Sequence, residues 1–123
     1  MTKEKILIVD DSATALMMNL MVLKRFKKYE FITAKDGQQA VSVALAEKPD
    51  LILMDIVMPV MDGLQATKEI RATDGINDIP IILLTTRSEQ EYVESGFVNG
   101  CSDYVNKPIN APELIAKIES LLG

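Results

Sequence analysis

Three carboxylates stand where two apolar runs end. Asp10 and Asp11 follow the run at 6–9, and Asp55 closes the run at 51–54. If the two runs form neighbouring parallel strands, these side chains meet at one end of a sheet, where they repel one another strongly unless a cation is bound. Carboxylate oxygens are the ligands that Mg²⁺ prefers. The sequence therefore predicts a magnesium site.

Two further runs end in residues suited to phosphate chemistry. Thr85 and Thr86 follow the run at 81–84, and a short segment through Tyr104 leads to Lys107 and Pro108. A hydroxyl can donate to a phosphate oxygen, and an ammonium pairs with phosphate charge. Each residue alone has an ordinary explanation as a helix cap, a solvated lysine or a half-buried strand aromatic. Their common position at strand ends favours one shared site.

Short apolar runs alternate with stretches of helical periodicity, which predicts repeated βαβ units and helices on both faces of a parallel sheet. We expect one three-layer α/β domain over residues 1–123. The predicted strands lie near 5–10, 30–34, 50–55, 80–85 and 102–106, and the predicted helices near 12–27, 36–47, 62–73, 88–98 and 111–122. In such sheets, ligands bind outside the carboxyl ends of the strands.

Polar residues mark the predicted helix ends. Ser12 or Asp11 can cap the first helix, and Pro112 suits the first turn of the last. The remaining signals are Asp36, Asp62 and Ser88 as amino-terminal caps and Gly100 as the end of the fourth helix.

Composition excludes several classes of function. The net charge of −5 argues against direct nucleic-acid binding, and the basic cluster at 24–28 is interpreted as the end of a helix, where cations offset the macrodipole. The chain has no histidine, so histidine chemistry must come from a partner, and its single cysteine, Cys101, is interpreted as a buried apolar side chain. With neither a signal peptide nor a membrane-spanning stretch evident, we expect a cytoplasmic protein without membrane insertion.

Four segments carry a resemblance to the response-regulator receiver domains of two-component signalling. They are ILIVDDS at 6–12, DLILMDIVMPVMDG at 50–63, PIILLTT at 80–86 and DYVNKP at 103–108. Thr85 follows Asp55 by thirty positions and Lys107 follows it by fifty-two, which is the spacing of that family. The resemblance runs from Lys5 to the last predicted helix, and it implies a flavodoxin-like fold with strand order 2-1-3-4-5.

The resemblance also implies roles for individual residues. Asp55 is the phosphoacceptor, and it binds Mg²⁺, or Mn²⁺ in its place, together with Asp10, Asp11 and the backbone carbonyl of Val57. Thr85, Thr86 and Lys107 bind the phosphoryl group, and Thr85 and Tyr104 form the switch. The remaining assignments are Pro59, Gly63 and Pro108, which shape the site, with a left-handed turn expected at Gly63 and a cis bond before Pro108, and Val57 and Arg87, which tune the phosphoryl lifetime.

In place of Thr86 the family usually has Ala or Gly, so we expect slower phosphoryl entry or water access here. The donor implied by the resemblance is the phosphohistidine of a histidine kinase or a histidine phosphotransfer protein. The first predicted helix has more apolar residues than one core-facing stripe requires, which favours donor docking there. These residues are Leu16, Met17, Met18, Leu20, Met21, Val22 and Leu23.

The partner face implied by the resemblance combines the fourth helix, fifth strand and fifth helix, in a monomer or a phosphorylation-dependent dimer. Such a domain is not an enzyme beyond catalysing its own phosphorylation and dephosphorylation. Three alternatives stay open: a flavodoxin-like cofactor module, an Mg²⁺-dependent phosphohydrolase similar to haloacid dehalogenases, and a receiver-like interaction domain that does not signal. A stand-alone receiver and the amino-terminal part of a longer regulator are both compatible with the sequence.

Overall fold

Strands and helices alternate along the chain as predicted. The computed structural model describes residues 3–86 and 91–123. Within these residues the strands are β1 Glu4–Val9, β2 Tyr29–Ala34, β3 Leu51–Asp55, β4 Ile81–Thr85 and β5 Asp103–Asn106. The helices are α1 Ala13–Leu23, α2 Gly37–Glu47, α3 Gly63–Arg71, α4 Val93–Val98 and α5 Ala111–Leu122.

The five strands form one parallel sheet in the order β2-β1-β3-β4-β5, which confirms the expected topology. Val9 pairs with Met54, and Asp55 pairs with Leu84. The carboxyl ends of β1, β3 and β4 therefore lie side by side at one edge of the sheet, and the residues that follow them are brought together.

Two apolar cores lie on opposite faces of the sheet. Alternate residues of each central strand enter one core or the other, so these strands are buried on both faces and read as continuous apolar runs. One core contains Ile6, Ile8, Leu16, Leu23, Leu114 and Ile118 from β1, α1 and α5. The other contains Leu7, Val9, Ala40, Ala44, Ala66 and Ile70 from β1, α2 and α3.

Side-chain caps start four helices. Ser12 Oγ accepts from Ala15 N at 3.1 Å, so Ser12 and not Asp11 caps α1. Asp36 and Asp62 cap α2 and α3 as predicted, through bonds of 2.8 Å from the backbone N–H groups three residues later. Asn110, which was not among the predicted caps, caps α5 by accepting from Glu113 N at 3.0 Å.

Some helix boundaries differ from the prediction. The α-helix of α1 ends at Leu23, and a 3₁₀ turn, Lys24–Phe26, follows it. Lys27 then adopts a left-handed conformation with φ of 53°, because the chain must reverse before β2 begins at Tyr29. The basic cluster therefore lies at the end of this helical segment, as predicted, with Lys24 and Arg25 in the 3₁₀ turn and Lys27 directly after it. α3 also ends earlier than predicted, at Arg71.

The α-helix of α4 is short, and residues 91–92 directly before it are in 3₁₀ conformation. Tyr92 precedes its first residue without a side-chain capping bond. The predicted beginning of this helix at 88, with Ser88 as its cap, lies outside the described residues. Gly100 follows the helix with φ of +104°, so its predicted role at the carboxyl end is confirmed.

Arg71 connects three segments at the end of the sheet opposite the carboxyl edge. Its Nε donates to the carbonyl of Gly100 at 2.8 Å, and its Nη1 donates to the carbonyls of Asn77 at 3.1 Å and Ile79 at 2.7 Å. Burial lowers the pKa of this guanidinium below its ordinary value. The carboxyl end of α3 is thereby fixed to the segments that lead into β4 and β5.

Among the described residues, none of the helices combines the length and the apolar character needed to cross a lipid bilayer.

Candidate metal centre and phosphate site

The fold brings together the three carboxylates that the sequence predicted would converge. Asp10 follows β1, and Asp55 ends the neighbouring strand β3. Asp10, Asp11 and Asp55 each offer one oxygen, and these oxygens all lie within 4.8 Å of one another. Asp10 and Asp55 are only 1% and 6% exposed, whereas Asp11 is exposed. We call these three residues and Lys107 the acid site.

The two oxygens of Asp10 have different environments. Oδ1 accepts from Ser12 N at 2.9 Å, which ties the carboxylate to the start of α1. Oδ2 is buried, accepts no hydrogen bond from the described part of the chain, and lies 3.7 Å from Lys107 Nζ. A buried carboxylate oxygen without a hydrogen bond is costly, so this atom is suited to a cation.

Lys107 brings positive charge to the carboxylates. Its Nζ contacts Asp55 Oδ1 directly. Its backbone N–H donates to the Thr85 carbonyl at 2.7 Å, which fixes the residue against the end of β4. The Lys107–Pro108 peptide bond is cis, as the family resemblance implied.

Asp55 carries the unfavourable electrostatics of the site. Burial raises the pKa of its carboxyl to about 6; Lys107 opposes this shift, and the carboxylate of Asp10 adds to it. One ammonium therefore does not offset the desolvation and mutual repulsion of these acids. Three hard oxygen donors with an excess of negative charge match the preference of Mg²⁺, so the residues present fit this ion.

The two threonines follow at the adjacent strand end. Thr85 is fully buried as the last residue of β4, and its hydroxyl donates to the Thr86 carbonyl at 3.0 Å. Thr86 is half-buried beside it. The structure thus places both predicted phosphate-binding threonines at the carboxyl edge of the sheet, and their roles stay predictions.

The loop after β3 is shaped by a close approach at Gly63. Gly63 N donates to the Ile56 carbonyl at 2.7 Å, and a Cβ at Gly63 would overlap the Asp55 carbonyl oxygen. The expected left-handed turn at Gly63 is wrong, because the residue with positive φ in this loop is Val60, at 68°. Glycine is required at position 63 because a side chain would not fit there, and not because of its backbone angles.

Three of the remaining residues that were predicted to shape the site or to tune the phosphoryl lifetime are exposed. The side chain of Val57 is 56% exposed two positions after Asp55, and Pro59 and Pro108 are exposed at the same edge of the sheet. The predicted role of the Val57 carbonyl as a ligand and the lifetime role of its side chain stay predictions. Arg87 lies outside the described residues.

Tyr104 lies on β5, away from the carboxylates and next to α4 and α5. Its half-buried ring meets the ring of Phe97 edge-on, with centroids 6.2 Å apart and planes at 87°. Lys117 Nζ lies 5.6 Å from the centroid of the same ring. Phe97 and Lys117 were not predicted from the sequence, because contacts between α4, β5 and α5 leave no local spacing signal.

α1 forms an apolar ridge beside the acid site. Met17, Met18 and Met21 are 58%, 60% and 62% exposed, whereas Leu16 and Leu23 are buried. A depression of about 240 Å³ on one side of the helix is lined by Met18 and reaches Asp10 and Lys107. A second one, of about 350 Å³, lies on the other side along Met17 and Met21.

Comparison with known proteins gives a consistent result. Residues 6–119 match the family described as the response regulator receiver domain. Protein PilH of Pseudomonas aeruginosa is 36% identical over 119 residues, which cover 97% of this chain and 98% of PilH. The transcriptional regulatory protein PrrA of Mycobacterium tuberculosis is 37% identical over 121 residues, which cover 98% of this chain. The chain spans about half of PrrA, 51% of its length.

A solved structure shows the same fold. The receiver domain of a sensor histidine kinase from Pseudomonas aeruginosa superposes with a TM-score of 0.90 at 34% identity, covering 99% of both chains. That crystal structure has a magnesium ion coordinated in the active-site cleft. The family match covers most of the chain, and the strand order is the one that the family resemblance implied. This chain therefore belongs to the response regulator receiver domain family of two-component systems.

Proposed function

We propose that Asp55 accepts a phosphoryl group from a phosphohistidine of a histidine kinase or histidine phosphotransfer protein, with Mg²⁺ bound by Asp10, Asp11, Asp55 and the Val57 carbonyl. Mn²⁺ can replace Mg²⁺ in such an oxygen site. Residues 1–123 act as one receiver domain. The observation that carries the proposal is the buried Oδ2 of Asp10, which accepts no hydrogen bond from the described residues and lies among three carboxylates whose oxygens are within 4.8 Å of one another.

The chemistry is the transfer of one group between two atoms. A carboxylate oxygen of Asp55 forms a bond to phosphorus while the bond from phosphorus to the donor histidine nitrogen breaks, and that nitrogen keeps the electron pair. Bound Mg²⁺ would neutralise charge on the transferring group. Because a pKa of about 6 leaves Asp55 ionised at neutral pH, the nucleophile is already in its reactive form.

Lys107 and Thr85 act on the phosphoryl oxygens. Lys107 Nζ already contacts Asp55 Oδ1, so a phosphoryl group on Asp55 forms within reach of its ammonium. The Thr85 hydroxyl exchanges its bond to the Thr86 carbonyl for a bond to a phosphoryl oxygen. The bulk of Thr86 beside this position slows the approach of donors and water.

Phosphorylation changes the conformation of the protein through Thr85 and Tyr104. When the Thr85 hydroxyl turns toward the phosphoryl group, the ring of Tyr104 moves inward and the surface formed by α4, β5 and α5 changes. We call this surface the output face. Phe97 and Val98 already expose 47% and 80% of their side chains there, which suits a downstream protein partner. Phosphate thus shifts an equilibrium between two conformers, and the protein is a monomer or dimerises on phosphorylation.

The donor docks on α1. The depression lined by Met18 is continuous with Asp10 and Lys107, so a helical partner seated there brings a histidine to the acid site. Exposed methionines adapt to such a partner because their side chains are flexible. Polar substitution of Met17, Met18 and Met21 is therefore expected to slow transfer from a phosphohistidine donor and to leave phosphorylation by a small donor intact.

We further propose that the domain turns over only its own phosphoryl group. The acceptor lies on β3 and the paired acids follow β1, which differs from haloacid-dehalogenase phosphatases, where the nucleophile and acid both follow the first strand. The paired acids also repel a cofactor phosphate at the position where flavodoxin-like modules have a phosphate-binding loop. A multiple-turnover assay with an aryl phosphate is expected to show no sustained hydrolysis.

Treatment with acetyl phosphate and Mg²⁺, followed by intact-mass measurement, tests the main proposal. The wild-type protein is expected to gain one phosphoryl group, and chelation of Mg²⁺ is expected to abolish the gain. Asp55→Asn should gain nothing, whereas Asp74→Asn, a change of an exposed acid outside the acid site, should gain the group normally. A gain that persists in Asp55→Asn, or no gain in the wild type, contradicts the proposal.

A further inference from the structure

Lys117 on α5 makes three contacts with a single region of β5. Its Nζ lies 3.1 Å from Asp103 Oδ1 and donates to the Tyr104 carbonyl at 3.1 Å. The same atom lies 5.6 Å from the centroid of the Tyr104 ring, within the range of a cation–π interaction. The lysine is therefore anchored to the backbone of the residue whose ring it attracts.

Asp103 strengthens this arrangement. Its Oδ1 accepts from Tyr104 N at 2.8 Å as well as from Lys117. One carboxylate oxygen thus joins the backbone of Tyr104 to the ammonium. Lys117 is 29% exposed, so its charge is only partly screened by water.

The Tyr104 ring also connects this cluster to α4. It meets the ring of Phe97 edge-on, with centroids 6.2 Å apart. In this geometry the positive edge of one aromatic ring is attracted to the negative face of the other. Lys117, Tyr104 and Phe97 thus link α5, β5 and α4 through side chains. This linkage coexists with the hydrogen bond from the Thr85 hydroxyl to the Thr86 carbonyl.

We propose that Lys117 is a positioning residue that holds the Tyr104 ring against Phe97 and thereby opposes the switch. This inference rests on the proposed coupling between Thr85 and Tyr104. Because the ring must leave Phe97 when Thr85 turns toward a phosphoryl group, each contact that Lys117 makes favours the conformer with the Thr85–Thr86 bond. Loss of the ammonium shifts the population toward the phosphoryl-binding conformer.

Lys117→Met tests this role because methionine keeps an apolar stem and removes the charge. We expect a roughly threefold to tenfold rise in the rate of phosphorylation by acetyl phosphate. This factor corresponds to the combined free energy of an exposed cation–π contact and a surface ion pair. Lys117→Arg restores a cation and is expected to return the rate toward the wild-type value.

Lys5→Met is the matched control. Lys5 Nζ lies 3.1 Å from Glu47 Oε1 and is 28% exposed, which matches the N–O distance in the Lys117–Asp103 pair and the exposure of Lys117. Lys5 lies on β1, two strands away from β4 and three from β5. Its substitution is expected to leave the phosphorylation rate unchanged.

The position of the ring is measured separately by NMR of protein carrying labelled tyrosine and phenylalanine rings, as the NOE between the rings of Tyr104 and Phe97, with the Tyr104 signals assigned by Tyr104→Phe. This NOE is expected to weaken in Lys117→Met and to stay unchanged in Lys5→Met. In a Tyr104→Ala background, Lys117→Met is expected to have no further effect on the rate, since the lysine acts through the ring.

The outcomes separate this inference from the proposed function. An unchanged NOE between the Tyr104 and Phe97 rings in Lys117→Met, or a rate effect that persists in the Tyr104→Ala background, overturns the positioning role. If the wild-type protein gains no phosphoryl group, the proposed function is wrong, and the NMR measurement still decides whether Lys117 holds the ring.

Discussion

The acid site and the output face are held in place by different kinds of contact. At the acid site, hydrogen bonds of the backbone hold the residues: Ser12 N donates to the Asp10 carboxylate, and the backbone N–H of Lys107 donates to the Thr85 carbonyl. On the output face, α4 has six residues, no side-chain cap at Tyr92 and a glycine, Gly96, within it. There the positions depend on side-chain contacts such as Phe97 with Tyr104.

This difference matches two physical requirements. Phosphoryl transfer needs oxygens and charges fixed within a fraction of an ångström, which backbone constraints provide. The proposed switch needs two arrangements that differ by only a few kcal/mol in free energy, a requirement that weak side-chain contacts suit better than backbone constraints do. The following changes test the contrast, beginning with the largest expected effect.

An alanine placed in each region should reveal the contrast most strongly. Gly63→Ala is expected to lower the free energy of unfolding by about 3 kcal/mol or more, because the new Cβ overlaps the Asp55 backbone carbonyl and lies 3.0 Å from Ile56 Cα. In Gly96→Ala the Cβ meets side-chain ends instead, Leu83 Cδ1 at 2.7 Å and Cys101 Sγ at 3.3 Å. Urea unfolding of both variants measures the two losses.

For Gly96→Ala we expect a net change within about 1 kcal/mol, since alanine favours the helix by about that amount over glycine and offsets the repacking. Equal losses in the two variants would show that the output face is as constrained as the acid site.

The buried charge of Asp55 should lower the free energy of unfolding by an amount that depends on pH. Burial raises the pKa of Asp55 from 3.8 to about 6, so the folded protein holds this proton more tightly than the unfolded chain. The contribution of Asp55 to stability therefore falls as pH rises between about 4 and 6, and it stays unfavourable above that range. Without Mg²⁺, Asp55→Asn is expected to be more stable than wild type by about 1–2 kcal/mol at pH 7.5.

Thermal unfolding across pH checks this expectation. The two proteins should converge in stability below about pH 4, the ordinary range of a carboxyl group. Mg²⁺ should raise the melting temperature of the wild type more than that of Asp55→Asn, because it binds the folded carboxylates. A wild type that is more stable than the variant at pH 7.5 without Mg²⁺ would contradict the assigned cost of burying this charge.

Removal of a helix cap should weaken the acid site only where the cap adjoins it. Ser12→Ala and Asn110→Ala are each expected to cost about 1 kcal/mol, since each loses one side-chain bond to a helix N–H. Only Ser12→Ala should also weaken Mg²⁺ binding, because the lost cap loosens the first turn of α1, to which Asp10 is tied through the retained backbone N–H of residue 12. Calorimetric titration with Mg²⁺ separates the two variants, and equal affinities would remove this link between cap and site.

The smallest effect on stability is expected for exposed valines. Val57→Asn should change the free energy of unfolding by less than about 0.5 kcal/mol, since the side chain is 56% exposed. It should nevertheless shorten the phosphoryl lifetime severalfold, because an amide near Asp55 can orient an attacking water. Val98→Asn, on the output face at 80% exposure, should change neither quantity. Intact-mass measurement over time gives the lifetimes, and equal lifetimes for wild type and Val57→Asn would refute the effect.

Much of the fold was predictable because its signals are local. Buried parallel strands give continuous apolar runs, and Asp36 and Asp62 stand where capping residues are favoured. The convergence of Asp10, Asp11 and Asp55 followed from strand ends alone. Asn110 could also have been found, since Glu113 three residues later completes a common capping pattern.

Other features depend on contacts between distant residues and had no local signal. α1 ends early because the chain must turn into β2, although the helical pattern continues past Leu23. Gly63 is needed because the Asp55 backbone passes close to it, which is a tertiary constraint. The cluster of Lys117, Tyr104 and Phe97 joins three elements and could be found only from coordinates.

Arg71 anchors the chain at the carboxyl end of α4. Its bond to the Gly100 carbonyl fixes the chain just beyond the carboxyl end of this helix, while Tyr92 leaves the opposite end without a side-chain cap. If the proposed switch displaces α4, we expect the displacement to be smallest near Gly100 and to grow toward Val93, the end that lies nearer the carboxyl edge of the sheet. The proposed movement of Thr85 would then tilt the whole helix.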